Sequence, residues 1–222
     1  MMPFPGGIES LANGTLIFSA GASFFYFLKQ AQPPSWRRTV AKAGSIALLA
    51  LLALLEKGPL LLFVALVLSA AGDAFLAQEG EKPFLLGLAS FLLAHLAYVA
   101  LFWQLGSDLL LIAQEPWRLG VVAVALAAAL WLLRRLLLAV APPLRLPIAV
   151  YTPAIMAMLI AAATVPAPLV IGGAVLFVAS DFILAAQKFL FAPASQHREW
   201  AGPAVWILYY FAQLAITLAV LL

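Results

Sequence analysis

Apolar stretches of roughly 18–23 residues recur along the whole chain, each bounded by proline, glycine or charged residues. At about 1.5 Å per helical residue, each stretch is long enough to cross about 30 Å of hydrocarbon. The pattern therefore predicts an all-α integral membrane bundle of about eight transmembrane helices, forming a single domain over residues 1–222. The predicted spans are 8–29, 38–55, 59–77, 84–104, 117–139, 146–164, 168–190 and 203–222.

Composition supports a bilayer rather than water as the solvent. The chain is 66% hydrophobic and 9% charged, whereas soluble domains have roughly 45–50% apolar and about 25% charged residues. There is no cysteine, which excludes disulfides, thiolate catalysis and thiolate metal sites. The net charge of +3 gives no reason to expect a nucleic-acid partner. No Lys or Arg occurs in residues 1–7, so we expect the first stretch to be a permanent span and not a cleaved signal peptide.

The basic residues predict the orientation of the spans. Ten of the twelve fall on one side of the predicted bundle, and only Lys57 and Arg118 fall on the other. Because Lys and Arg accumulate in cytoplasmic loops, both termini are expected outside, in a cell (inner) membrane. The ten are Lys29, Arg37, Arg38, Lys42, Lys82, Arg134, Arg135, Arg145, Lys188 and Arg198.

Two segments of the chain resemble each other, 68–77 and 177–185, and they place Asp73 and Asp181 108 residues apart. A second pair, His95 and Gln213 with their flanking residues, lies 118 residues apart. One interpretation is a four-plus-four repeat with both halves in the same orientation. The other is chance similarity in a sequence rich in Ala and Leu.

Polar residues inside the spans are the strongest functional signal. An ionisable residue in mid-helix costs about 2.5–3.5 kcal/mol on insertion scales and indicates function by default. The predicted spans place all of these residues in the cytoplasmic half, so we expect a cavity that opens to the cytoplasmic leaflet. They are the ionisable Lys42, Asp73, His95 and Asp181, with Ser69, Tyr98, Tyr151, Ser180, Tyr209, Tyr210 and Gln213 as polar companions.

Structural roles are the alternative for each of these residues. One aspartate could form an ion pair with Lys42, or Lys42 could extend to the inner membrane surface. His95 could be a packing residue, and Tyr209 or Tyr210 an interfacial anchor. Ser69 and Ser180 could bond helix carbonyls.

The residue types also limit the chemistry. A zinc hydrolase needs three or more His, Cys or carboxylate ligands, and the spans hold a single histidine. No Gly-x-Ser-x-Gly elbow and no glycine-rich phosphate loop occurs. Two intramembrane carboxylates remain, a combination that could deliver a proton and activate water.

At these residues the chain resembles the lysoplasmalogenase family, the YhhN-like multi-spanning membrane proteins, over roughly 38–220. Lys42 resembles the family's lysine at the start of its second helix, but Ala43 follows it where the family usually has proline. The motifs that carry the resemblance are Ser69-x-x-Gly72-Asp73-x-x-Leu76, Gly87-x-x-x-Phe91-x-x-x-His95-x-x-Tyr98, Tyr151 followed by Met156 and Met158, Gly173-Ala174-x-x-Phe177-x-x-Ser180-Asp181-x-x-Leu184 and Tyr209-Tyr210-x-x-Gln213.

The resemblance implies hydrolysis of the vinyl ether bond of a lysoplasmalogen, with a lysophospholipid substrate in the surrounding membrane lipid. We expect no metal or other cofactor. The resemblance also implies a general acid and a cation-stabilising, water-orienting carboxylate, roles for Asp73 and Asp181 in an order that the sequence leaves open. Lys42 would meet the phosphate, and the remaining expected substrate contacts are His95, Tyr98, Tyr151, Ser180, Tyr209, Tyr210 and Gln213.

Two other functions fit the same residues. A proton- or cation-coupled transporter of a small molecule or lipid would use the buried acids as ion sites. A metal-dependent lipid amidase or esterase would use Asp73, His95 and Asp181 as ligands.

Overall fold

The computed structural model describes residues 2–106, 108–192 and 194–222, and it is all-helical in these ranges. The helices are α1 (Leu11–Lys29), α2 (Trp36–Leu55), α3 (Leu60–Leu76), α4 (Glu81–Leu105), α5 (Leu109–Gln114), α6 (Pro116–Ala139), α7 (Pro142–Ala163), α8 (Pro168–Phe189) and α9 (His197–Leu221).

Eight of these helices correspond one to one to the predicted spans, which confirms the expected membrane bundle. Seven are long and apolar enough to cross a bilayer, and α3, with 17 residues, is shorter. Large apolar side chains face outward along them, including Phe18, Trp131 and Leu138, while Asn13, Ser19 and His95 are buried. Such an exterior suits lipid tails and not water.

Local sequence explains where several helices begin. Ser10 caps α1 by accepting a hydrogen bond from the Asn13 N–H, and Ser35 caps α2 in the same way. Helices α6, α7 and α8 each have proline in their first turn, where its missing N–H has no intrahelical partner to lose.

Two of the helices differ most from the sequence prediction. Gly202-Pro203 predicted a break, but α9 begins at His197 and continues through Pro203. The first turns of α9 are polar, so a rule based on apolar length finds only the part of the helix suited to hydrocarbon. The second difference is the six-residue helix α5, capped by Asp108 in a segment for which no helix was predicted.

The described residues divide into two compact units. The first unit comprises residues 1–98 and 216–222 and contains α1, α2, α3 and most of α4. In its core, Leu49 and Leu52 of α2 and Leu66 of α3 are fully buried. Two serines join neighbouring helices: Ser19 Oγ donates to Ser45 O at 2.7 Å, and Ser90 Oγ donates to Leu68 O at 2.6 Å.

The second unit comprises residues 99–215 and contains α5 to α8 with most of α9. Near the loop between α6 and α7, its core is built from Leu132, Leu136, Val140 and Ile148. The expectation of a single domain over 1–222 stays a prediction. Apart from the last residues of α4 and α9, each unit holds four of the eight helices that match the predicted spans, which is compatible with a four-plus-four organisation.

Arg118, one of the two basic residues predicted on the side opposite the other ten, is 1% exposed in the second unit. Its Nη1 donates to Ala163 O at 3.1 Å and to Val165 O at 2.9 Å, so it caps the end of α7. Its Nε donates to Glu115 Oε2 at 2.9 Å. The hydrogen bond from Arg118 holds the pKa of the Glu115 carboxyl below its usual value.

Candidate functional site

The first unit contains a buried ion pair between α2 and α3. Lys42 Nζ lies 3.2 Å from Asp73 Oδ1, and the two side chains are 13% and 2% exposed. Lys42 Nζ also lies 5.8 Å from the centre of the Tyr26 ring on α1. Lys42 is therefore directed to a carboxylate inside the bundle, as in the ion-pair alternative for one of the two acids.

Glycines let α3 and α4 approach closely beside Asp73. A Cβ added at Gly72 would come within 2.7 Å of the Phe91 ring, and one added at Gly87 would come within 2.7 Å of Leu76. Contacts this short do not occur between real side chains, so both positions require glycine at the observed helix separation. Gly72, the residue before Asp73, therefore lies directly against α4.

His95 and Tyr98 of α4 belong to the same unit, and both side chains are completely buried. Ser69 lies one helical turn before Asp73 and is also completely buried; within the described residues its Oγ has no hydrogen-bond partner. The alternative that Ser69 bonds a helix carbonyl is thus not what the structure shows. The expected substrate contacts His95 and Tyr98 stay predictions.

The second unit contains a corresponding polar pair between α7 and α8. Tyr151 Oη donates a hydrogen bond to Asp181 Oδ2 at 2.5 Å. The tyrosine and the aspartate are both partly buried. This pair brings together two residues that the sequence analysis named separately, as an expected substrate contact and a catalytic candidate.

Ser180 has a packing contact in this unit. Its Oγ donates to Val205 O at 2.9 Å, joining α8 to α9, and the residue is 2% exposed. The serine thus satisfies a carbonyl of the neighbouring helix and not of its own. Its expected contact with substrate stays a prediction.

Two tyrosines of α9, Tyr209 and Tyr210, pack against other aromatic residues of the second unit. Tyr209 packs edge-on against Phe177 with ring centres 5.4 Å apart, and Tyr210 stacks on Trp206 at 6.2 Å. Both tyrosines are buried, as is Gln213. Burial inside the unit does not fit the alternative of tyrosines anchored at the membrane interface.

One residue beside Lys42, the tyrosine Tyr26, was not predicted from the sequence. Tyr26 lies inside the first predicted span and beside Lys42, but it falls outside the motifs that carry the family resemblance. A search for every polar side chain within the spans would have found it.

The geometry brings together Lys42 with Asp73 and Tyr151 with Asp181, and these two pairs belong to different units. In the described parts of the chain, no group of three or more His, Asp or Glu side chains could hold a metal ion. The alternative of a metal-dependent amidase or esterase therefore gains no support from the side-chain positions.

Comparison with known proteins gives one match. The model of the YhhN family matches residues 37–220, which covers α2 to α9 with the exception of their outermost residues. No curated protein and no solved structure matches the chain. Because the match covers most of the sequence and both polar pairs, the chain belongs to the YhhN family, the family of lysoplasmalogenases.

Proposed function

We propose that the protein is a membrane-embedded hydrolase that cleaves the vinyl ether bond of lysoplasmalogens. The products are a fatty aldehyde and glycerophosphocholine or glycerophosphoethanolamine. The observation that carries the proposal is the membrane-buried Asp73, 1% exposed and paired with Lys42, in a chain that belongs to the YhhN family. Burial of an ionisable carboxylate in the membrane costs free energy, and such residues therefore indicate function.

The chemistry needs one proton donor and one group that stabilises a cation. A general acid transfers a proton to the β carbon of the vinyl ether, and the electron pair of the double bond forms the new C–H bond. The resulting oxocarbenium ion is attacked by water at the α carbon, and the water loses a proton to a base. The hemiacetal then collapses to the aldehyde and the glycerol hydroxyl, so that one water is consumed for each bond cleaved.

The contacts of the two aspartates support different roles for them. An ammonium beside Asp73 suits an ionised carboxylate, which would stabilise the oxocarbenium ion and orient the water. At Asp181 the Tyr151 hydroxyl bonds one oxygen, Oδ2, and the other oxygen, Oδ1, would carry the proton to be transferred. The proposal thus makes Asp181 the general acid and Asp73 the cation-stabilising carboxylate. Lys42 would be shared between Asp73 and the lipid phosphate.

A coupled transporter is the second candidate, because each unit contains one intramembrane aspartate bonded to a side chain of the preceding helix. Such a protein would move protons or cations through the carboxylates without cleaving lipid.

Aldehyde release distinguishes the two functions. Purified protein would be given lysoplasmenylethanolamine and lysoplasmenylcholine, with a saturated ether lysolipid as the control substrate. Asp73→Asn and Asp181→Asn should both abolish release while remaining folded, and Asp108→Asn, at an exposed helix cap, should not affect it. The absence of aldehyde from folded wild-type protein, with proton-coupled uptake in liposomes, would favour transport.

Deuterium labelling tests the proposed protonation step. In D₂O the wild-type enzyme should place one deuterium on the carbon next to the aldehyde carbon, if the product is trapped at once by reduction. Aldehyde formed without that deuterium would contradict protonation of the β carbon.

A further inference from the structure

Helices α1 and α2 of the first unit leave an outward-facing groove of about 640 Å³ between them. On the α1 side it is lined by residues that recur at helical spacing, among them Phe18, Gly21 and Phe25. On the α2 side the lining runs from Arg37 through Val40 to Leu48.

Small residues keep the groove open. Gly21 and Ala22 on α1 and Ala41 on α2 leave the space between the larger side chains. A Cβ added at Gly21 would meet no atom within 4 Å. The groove therefore has room for a chain-like apolar ligand that lies along the two helices.

One end of the groove carries a positive charge. Arg37 lines this end with Trp36, and its guanidinium carbon lies 5.5 Å from the centre of the Trp36 ring. Within the described residues Arg37 forms no ion pair, and both side chains are exposed. Tryptophan and arginine in the first turn of a membrane helix are typical of the headgroup level, where an anion could neutralise the arginine.

The length of the groove indicates which kind of apolar partner fits. From Arg37 to Leu48 the helix rises about 16 Å, which is about half of the 30 Å hydrocarbon thickness. An acyl chain of one leaflet has this reach, whereas a transmembrane helix of a partner would continue across both leaflets.

We propose that this groove binds an anionic phospholipid of the surrounding bilayer, with its phosphate at Arg37 and an acyl chain between α1 and α2. The site is separate from the polar pairs and does not depend on the proposed hydrolase function. Helix α1 lies outside the region that matches the family model, so half of the groove is a feature of this chain and not of the matched region.

The second unit supplies a matched control. Another groove, of about 550 Å³, runs along α6, α7 and α8, and it is lined by apolar residues around Trp117 and Gly120 without a charged side chain. A Cβ at Gly120 would likewise meet nothing within 4 Å. The two grooves therefore share an open glycine and a tryptophan and differ in the cation.

Photolabelling of the full-length protein tests the proposal. The protein is reconstituted in phosphatidylcholine vesicles that contain a trace of diazirine-labelled phosphatidylglycerol or, separately, diazirine-labelled phosphatidylcholine. Labelled residues are then mapped by mass spectrometry in wild type, Gly21→Phe, Arg37→Gln and Gly120→Phe.

We expect phosphatidylglycerol to label α1 and α2 along the groove several-fold more than phosphatidylcholine does. Gly21→Phe should remove most of this labelling by filling the groove, Arg37→Gln should remove the preference for the anionic lipid, and Gly120→Phe should change neither. Equal labelling of all lipid-facing helices, or groove labelling unaffected by Gly21→Phe, would overturn the proposal.

The absence of cysteine permits a second measurement. A single Val40→Cys variant places a unique thiol in the groove. Disulfide-linked dimers formed rapidly through this thiol in vesicles would show that a second copy of the chain occupies the groove, which would also overturn the proposal.

Discussion

Lys42 precedes Asp73 by 31 residues and lies 3.2 Å from it, and Tyr151 precedes Asp181 by 30 residues and donates a hydrogen bond to it. In the first unit the aspartate lies on α3 and its partner on α2, and in the second unit the aspartate lies on α8 and its partner on α7. The two aspartates thus share a topological position but differ in the partner that the preceding helix supplies. An ammonium in one unit and a phenol in the other give two carboxylates with different chemistry.

Removal of one member of the ion pair should destabilise the protein more than removal of both. Lys42→Met leaves the Asp73 carboxylate without its cation inside the bundle and should cost about 3 kcal/mol of unfolding free energy. Lys42→Met combined with Asp73→Asn should recover part of this loss. Reversible unfolding in mixed micelles would measure the unfolding free energies of wild type, the two single variants and the double variant. Strictly additive effects of the two substitutions would show that the two side chains have no interaction energy.

Tyr151→Phe should lower activity without unfolding the protein. The substitution keeps the ring and removes the hydroxyl that bonds Asp181, at a cost of about 1 kcal/mol in stability. If Tyr151 positions the acid, kcat should fall by about tenfold or more while KM changes little. The adjacent Thr152→Val, which removes a hydroxyl that donates to the Ile148 carbonyl of its own helix, is the matched control. Equal activities of the two variants would remove Tyr151 from the proposed mechanism.

Gly72→Ala should destabilise the contact between α3 and α4. The added methyl group would lie 2.7 Å from the Phe91 ring, so the ring or the helix must move, at a cost of roughly 1–3 kcal/mol. Gly172→Ala on α8 meets no atom within 4 Å and should leave stability unchanged or slightly higher. Thermal unfolding in detergent would measure both. A lower midpoint for Gly172→Ala than for Gly72→Ala would contradict the close helix approach.

The Glu115–Arg118 contact predicts a pH-dependent contribution to stability. Arg118 donates to Glu115 and holds its pKa below the unfolded value of about 4.3, so the contribution is present above that pH. It is lost as the pH falls through the lower, folded pKa. Wild type should therefore be more stable than Glu115→Gln at pH 7, and the difference should shrink on acidification toward pH 3. A difference that is constant over this range would show that the carboxyl does not titrate with folding.

The sequence was sufficient for the helices but not for the contacts between them. Apolar length alone located eight helices, because a segment that crosses lipid must form hydrogen bonds within itself for its backbone N–H and C=O groups, and a helix does so. The same rule missed six residues of α9 before Pro203, since they are polar, and missed α5, which is too short to span.

The site residues show the same division. The scarcity of charge in the spans identified Asp73 and Asp181, but their partners depend on which helix faces which. Lys42 could equally have reached the membrane surface, and the pairing of Tyr151 with Asp181 follows from the packing of α7 on α8. The deep burial of Arg118 also depends on such packing, because its guanidinium bonds carbonyls 45 and 47 residues away.

The shortness of α3 affects the depth at which Asp73 lies. Its 17 residues extend about 25 Å, less than the hydrocarbon thickness of about 30 Å, a mismatch that a locally thinner bilayer accommodates. Asp73 lies three residues before the last residue of this helix. The vinyl ether of a lysolipid lies directly below its headgroup and not at the centre of the bilayer. In the proposed reaction, the short helix would hold its carboxylate near the boundary at which a lysolipid presents that bond, where the water that the hydrolysis consumes has the least hydrocarbon to cross.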